Sequence, residues 1–232
     1  MDNDIIGHHI SKPFNKELED IRQKVLFMNE LIEQQIVFAI EAFSTGNLQL
    51  AKKVIKKGND VDVLEAAIDH ECTQILALRQ PTAIDLRLLI TVFKIIHELE
   101  STDKEAERIA EMAIELSTTG NNTYHYELEH IAIIARKMLS DALKAFADMT
   151  LDNIPVIIEQ HSNVNREYDN ILRQLISQMI EDPRNISQAI DVIWVVRAIE
   201  KIADHACYIC DHIFYMHKSK FVHYSNNLTN SS

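Results

Sequence analysis

Glu200 and Asp204 stand four residues apart in Glu200-Lys201-Ile202-Ala203-Asp204. At that spacing two side chains stack on one face of a helix. Like charges so placed repel, at a cost of about a few tenths of a kcal/mol in an isolated helix. The same crowding suits a divalent cation, because hard and borderline metal ions take oxygen ligands. Asp211, seven residues beyond Asp204, falls near the same face. Earlier in the chain the theme recurs as Glu100, Asp103, Glu107 and Glu111. Two such stripes could each form half a metal site. Acidic residues on one helical face are more commonly solvated or ion-paired, and spacing alone does not separate the alternatives.

Other candidates are weaker. Glu127-Leu128-Glu129-His130 contains the Glu-x-x-His of di-iron carboxylate bundles. Those bundles carry it twice, with a lone Glu from each of two further helices, and no second copy is present. Polar residues on a solvent-facing side of a helix are the simpler reading. Cys207 and Cys210 have the spacing of a zinc or redox pair. Zinc usually needs a second pair, and the redox motif sits in a strand-rich fold. With Cys72 the cysteines make an odd set of three and read as reduced, buried thiols. His205 and His212 follow the acidic motif and read as ion-pair partners. No Gly-rich phosphate loop, nucleophile elbow or Ser/His/Asp ordering stands out, so an enzyme is disfavoured.

The elements that position these residues are helices. Among 232 residues there are only 4 Gly and 4 Pro, and apolar residues make up 47%. So few breakers favour long helices over a sandwich with many turns. Leu18, Ile21, Val25, Met28, Ile32, Ile36 and Ala39 recur at three- and four-residue steps, the mark of one helical face. That first helix is expected over about Phe14 to Phe43. A second runs from about Leu48 to Leu78, with an interruption expected near Gly58-Asn59. Arg79-Gln80-Pro81 breaks it, since the residue before Pro avoids helical torsions. A third runs from Thr82 or Ala83 to about Leu116, and Ser117 to Thr123 reads as a linker. The fourth is expected over Tyr126 to Met149 and the fifth over Leu151 to Ile180, with Pro155 tolerable in its first turns. Glu181-Asp182-Pro183 ends the fifth, and a sixth covers Ile186 to His217. Ser225 to Ser232 read as a disordered tail.

The pattern repeats itself at a period of roughly one hundred residues, longer than a solenoid unit. His97 to Lys104 aligns without gaps on Arg197 to Asp204, and Asp60-Val61-Asp62 lies against Asn163-Val164-Asn165. The predicted fold is all-α, with two tandem, similar three-helix bundles packed up and down through short loops.

The net charge of −12 argues against nucleic acid, whose phosphates need clustered Lys and Arg. The segment Met1 to Pro13 has no apolar signal region, and no run of eighteen apolar residues occurs. A cytosolic protein without direct membrane insertion is expected.

Several motifs resemble the PhoU family. Glu200-Lys201-Ile202-Ala203-Asp204-His205-Ala206 is similar to its Glu-Arg-Ile-Gly-Asp signature, with Arg197-Ala198-Ile199 before it and Ile209 to Tyr215 after. Arg79-Gln80-Pro81-Thr82-Ala83-Ile84-Asp85-Leu86-Arg87 resembles the family's Arg-Gln-Pro-x-x-x-Asp-Leu-Arg break. His9-Ile10-Ser11, Phe14-Asn15 and Glu17-Leu18 fit its N-terminus. The resemblance implies repeats over 9–118 and 124–224, and a cytosolic accessory protein of phosphate uptake. Such a protein links the ATPase side of the ABC phosphate importer to the sensor histidine kinase and keeps the starvation response off when phosphate is plentiful. It also implies a homodimer and metal binding by Glu-x-x-x-Asp motifs. Glu200, Asp204 and Asp211 would serve one site, and Glu100, Asp103 and Glu107 the other. The ion, divalent or iron-type, is left open. The first repeat departs from the pattern, for Lys104 stands where the second carboxylate belongs. Asp103 comes one residue early, rotated by about 100° around the helix. The alternatives are a di-iron-type bundle with oxidative chemistry and a helical adaptor with no metal.

Overall fold

The computed structural model describes residues 12–117 and 125–218. The His9-Ile10-Ser11 motif, most of the expected linker and the expected disordered tail lie outside them. Six α-helices follow in order: α1 Lys12–Thr45, α2 Leu48–Arg79, α3 Ala83–Leu116, α4 His125–Ala147, α5 Ile154–Glu181 and α6 Ile186–Lys218. A 3-10 turn at Pro183–Asn185 leads into α6. No strand occurs among the described residues. The chain is all-α, as its breaker-poor composition requires.

Each helix end has a local cause. Gly46, at φ +66, closes α1, and the Asn47 side chain accepts from the Leu50 amide at 3.1 Å to cap α2. Gln80 ends α2 in the left-handed region at φ 45, and Pro81 prevents continuation. At the start of α3, Thr82 donates to Asp85 at 2.7 Å, which places a carboxylate in the first turn, where the helix dipole favours it. Met149, at φ 51, stops the α4–α5 connection from winding on, so α4 ends at Ala147 and α5 begins at Ile154. These bounds are tighter than the periodicity suggests.

The interruption expected at Gly58 is absent, and α2 runs unbroken. Gly58 is fully packed, and its missing side chain is what matters. A Cβ there would lie 1.6 Å from Glu107 Oε1 and 3.1 Å from Asp103 Oδ2. Glycine is kept in a helix interior, at a cost of about 1 kcal/mol relative to Ala, because α3 carboxylates occupy the space.

The helices α1, α2 and α3 pack on one another, as do α4, α5 and α6. The halves meet through α3 against α6 and, less extensively, α1 against α4. The two central helices run antiparallel: Glu98 meets His205, while Lys94, a turn earlier, lies over the Tyr215 ring at 5.3 Å. Val92, Ile95, Ile96 and Leu99 of α3 and Val195, Ile199, Ile202 and Ile213 of α6 are buried in the shared core. Truncating one of them leaves a cavity that the close-packed helices cannot refill. Ile95→Ala is expected to lower unfolding free energy by about 2–5 kcal/mol, measured as a fall in the denaturant midpoint with an unchanged slope.

Candidate functional site

The α2–α3 seam of the first repeat gathers Asp62, Asp103, Lys104 and Glu107. Lys104 Nζ lies 3.0 and 3.3 Å from the two Asp62 oxygens and 3.5 Å from Glu107 Oε1. Burial works to lower the Lys104 pKa, but the Asp62 hydrogen bond and the Glu107 charge outweigh it and raise the value. Asp103 is buried, and Gln35 of α1 donates to its Oδ1 at 3.1 Å. Its Oδ2 has no hydrogen-bond partner. Burial first, and the Glu107 charge second, push the Asp103 carboxyl up to about 7. Glu107 is also raised by burial, against the pull of Lys104.

The α5–α6 seam of the second repeat gathers His161, Arg197, Glu200, Lys201 and Asp204. Asp204 Oδ1 is 2.8 Å from His161 Nε2, and Asp204 Oδ2 accepts from Lys201 Nζ at 2.5 Å. Burial alone would raise the Asp204 pKa, but these two partners lower it below the ordinary value. Glu200 sits 3.7 Å from both Arg197 and Lys201. Burial and the nearby Asp204 charge raise its pKa.

The other predicted ligands do not join these groups. Glu100 stands beside His97, with 3.9 Å between its carboxylate and the His97 Nδ1. Asp211 lies two turns beyond Asp204, buried, where its charge adds to the burial that raises Cys207 and Cys210. The three cysteines are free and buried, and burial also pushes Cys72 up to about 12, so their thiols stay protonated. The Glu127 side chain lies outside the described residues. His130, 65% exposed, pairs with Glu167 at 3.0 Å on the surface.

Spacing along α6 says nothing of what faces Asp204 from α5, and His161 is the residue that sequence reasoning missed. A signal existed. Aligning Asp60-Val61-Asp62 on Asn163-Val164-Asn165 sets His161 opposite Gly58, the residue that makes room on the first seam. Glu98 was missed as well. It bridges the two repeats by pairing with His205 at 2.7 Å and His212 at 3.5 Å. Burial opposes its charge, yet the two imidazoles hold its pKa down to about 2. The reading of His205 and His212 as ion-pair partners agrees with this geometry.

Among the described residues, no group of three or more His, Cys, Asp and Glu side chains is arranged to hold a metal ion. The donor sets show why. On the first seam an ammonium already stands between Asp62 and Glu107, and on the second an imidazole and an ammonium hold both Asp204 oxygens. The residues do not fit a metal as they are arranged. No described helix is long and apolar enough to cross a membrane.

The Asp103 shift has a defined pH consequence. In the unfolded chain the carboxyl titrates near 3.8; in the fold it holds its proton to about 7. The stability tied to this proton is full below the unfolded value and is lost as pH rises toward the folded one. Asp103→Asn, which keeps the shape without the charge, is expected to raise the melting temperature at pH 8 by about 2–4 °C per kcal/mol recovered. Below the unfolded pKa the substitution should change it little. Thermal unfolding of both proteins across that range is the check.

A family model described as PhoU domain matches residues 25–113 and again 128–213. A relative from Pseudomonas aeruginosa, the phosphate-specific transport system accessory protein PhoU homolog, is 39% identical over 217 residues, covering 93% of this chain and 90% of the relative. The phosphate-specific transport system accessory protein PhoU of Escherichia coli K12 is 39% identical over 220 residues, covering 95% and 91%. The crystal structure of PhoU from Pseudomonas aeruginosa superimposes with a TM-score of 0.85 at 38% identity, over 89% of this chain and all of that one. The phosphate transport system regulatory protein PhoU from Streptococcus pneumoniae shares the fold, with a TM-score of 0.83 at 22% identity, over 90% of this chain and 99% of that one.

Proposed function

Because the chain belongs to the PhoU family, whose domain it carries twice, we propose that it is a non-enzymatic accessory regulator of phosphate uptake and phosphate-starvation signalling. It works at the cytoplasmic, ATPase side of an ABC phosphate importer, contacts a sensor histidine kinase, and keeps the response off when phosphate is plentiful. It acts as a homodimer. The observation that carries this reading is likeness over nearly the full length to relatives named as phosphate-specific transport system accessory proteins.

The chemistry of the described residues supports an adaptor. The buried thiols stay protonated, the seam acids beside Lys104, Lys201 and His161 are held in ion pairs, and Asp103, pushed up to about 7, is fully buried against Gln35, so no activated nucleophile or solvent-reachable base results. The surface offers something to dock. Ile176 and Ile180 end α5, and Ile186, Ile190 and Trp194 follow at four-residue steps along α6. They are 44%, 77%, 41%, 44% and 49% exposed. Apolar stripes on both arms of one helical hairpin are the kind of surface that partners cover. A partner held on such a face shifts signalling by binding one state of importer or kinase better than another.

Deleting the gene in its native host is expected to switch a phosphate-starvation reporter on despite abundant phosphate, with importer-inactivating suppressors excluded by sequencing. A silent reporter in a strain without a second family member would overturn the reading. Restoring the gene with Trp194→Asp and Ile190→Asp should leave the reporter on if the hairpin face is the docking surface.

A further inference from the structure

The family resemblance raises the expectation of a metal ion on each carboxylate stripe, and the side-chain geometry answers it differently in the two repeats. On α6 the motif carboxylates Glu200 and Asp204 are present, yet Lys201 Nζ stands 2.5 Å from one and 3.7 Å from the other. His161 takes the remaining Asp204 oxygen at 2.8 Å. On α3, Lys104 replaces the motif carboxylate, and its ammonium reaches Asp62 at 3.0 Å and Glu107 at 3.5 Å. The partner carboxylates come from α2 and from one turn farther along α3.

We infer that the ammonium groups of Lys104 and Lys201 take the place of bound metal ions in this chain, so that both carboxylate seams are closed by counter-ions attached to the chain itself.

Three observations carry this. The first is position. Lys104 aligns with Asp204, and Lys201 aligns with Ser101. The first repeat thus puts an ammonium where the second has a motif carboxylate, while Lys201 stands at the basic position of the Glu-Arg-Ile-Gly-Asp signature. The second is geometry. An ammonium carries three donors, and those of Lys104 and Lys201 face carboxylates on their seams. Lys104 bridges α2 and α3, as a shared cation would. Lys201 serves Glu200 and Asp204 on α6, while His161 ties Asp204 to α5. The third is charge. On the second seam, two carboxylates face Lys201 and Arg197. On the first, Asp62 and Glu107 share Lys104, and the surplus Asp103 is buried without a partner for Oδ2.

The consequence is functional. A counter-ion attached to the chain is present at all metal concentrations and cannot be removed by a chelator. Docking surfaces built on α2–α3 and α5–α6 keep their shape whatever the supply of iron or manganese. The inference rests on the family reading only for the expectation of a metal, and its test is independent of signalling.

The test uses full-length protein with the affinity tag removed. Thermal unfolding of the wild type is measured with excess EDTA and with excess MnCl2, and free Mn2+ is followed by its solution EPR signal during titration. The wild type is expected to melt at the same temperature in both and to leave the EPR signal undiminished. Lys104→Gln and Lys201→Gln expose the carboxylates. Each is expected to melt about 2–4 °C lower in EDTA, as loss of roughly one partly buried ion pair implies. Each should recover in MnCl2 with stoichiometric loss of the EPR signal. A wild type that EDTA destabilises, or that removes Mn2+ from solution, overturns the inference. So do lysine variants that Mn2+ does not rescue. If a glutamine variant fails to fold, the wild-type EPR titration still decides. A metal-dependent wild type leaves the reporter prediction standing, and a silent reporter leaves the Mn2+ titration standing.

Discussion

The neutralisation of carboxylates along packed helix seams is the constraint on which the rest of the molecule depends. The helices α3 and α6 form the central pair: α3 is walled by α1, α2 and α6, and α6 by α3, α4 and α5. Both carry acidic residues on faces that such packing takes out of water. A charge moved into that environment costs several kcal/mol unless something answers it. Three acids of the central pair show answers suited to their depth. Glu98, between the repeats, is held by two imidazoles. Asp204 is held by an imidazole and an ammonium. Asp103, the most buried, keeps one hydrogen bond from Gln35 and gives up its charge over much of the acidic range.

The duplication makes this legible, because each repeat is a control for the other. The backbone scheme is shared: two long helices, a proline break, and a third helix that faces its counterpart antiparallel. The side chains on the seams have diverged in a correlated way. Where the first repeat has Gly58, Glu107 and Asp103, the second has His161, Cys207 and Ala203. An empty position on α2 goes with bulky acids on α3. A bulky imidazole on α5 goes with a small residue and a thiol on α6. The space between two helices at roughly 8–10 Å is fixed, so what one helix adds the other must give up.

A protein that works as a regulator needs a rigid frame and a surface that partners can recognise, and these needs are divided between regions. The frame is the continuous core of the six helices, with the Glu98–His205–His212 contact tying the halves. The apolar stripes on the α5–α6 hairpin lie at one end, away from that contact along α6. Partners can therefore cover the hairpin without disturbing the charge pairs that hold the repeats together.

The all-α class, the helix breaks at Pro81 and Pro183 and the duplication follow from breaker scarcity, apolar period and internal alignment, which are properties of one chain segment or of two compared. The family was legible for the same reason, since its motifs are short local strings. The local pattern was less reliable at Gly58, where glycine suggests a break and α2 continues, because only the tertiary packing puts Glu107 into the vacated space. The candidate site shows the same division. Spacing on α6 located Glu200 and Asp204 on one face, but a helical face does not say which residues of α5 stand opposite. His161, the bridging reach of Lys104 to Asp62, and the burial that separates Asp103 from Glu100 were decided by helices distant in sequence. What a carboxylate does depends on the cation or proton within a few ångströms of it, and in this protein the decisive neighbours come mostly from another helix.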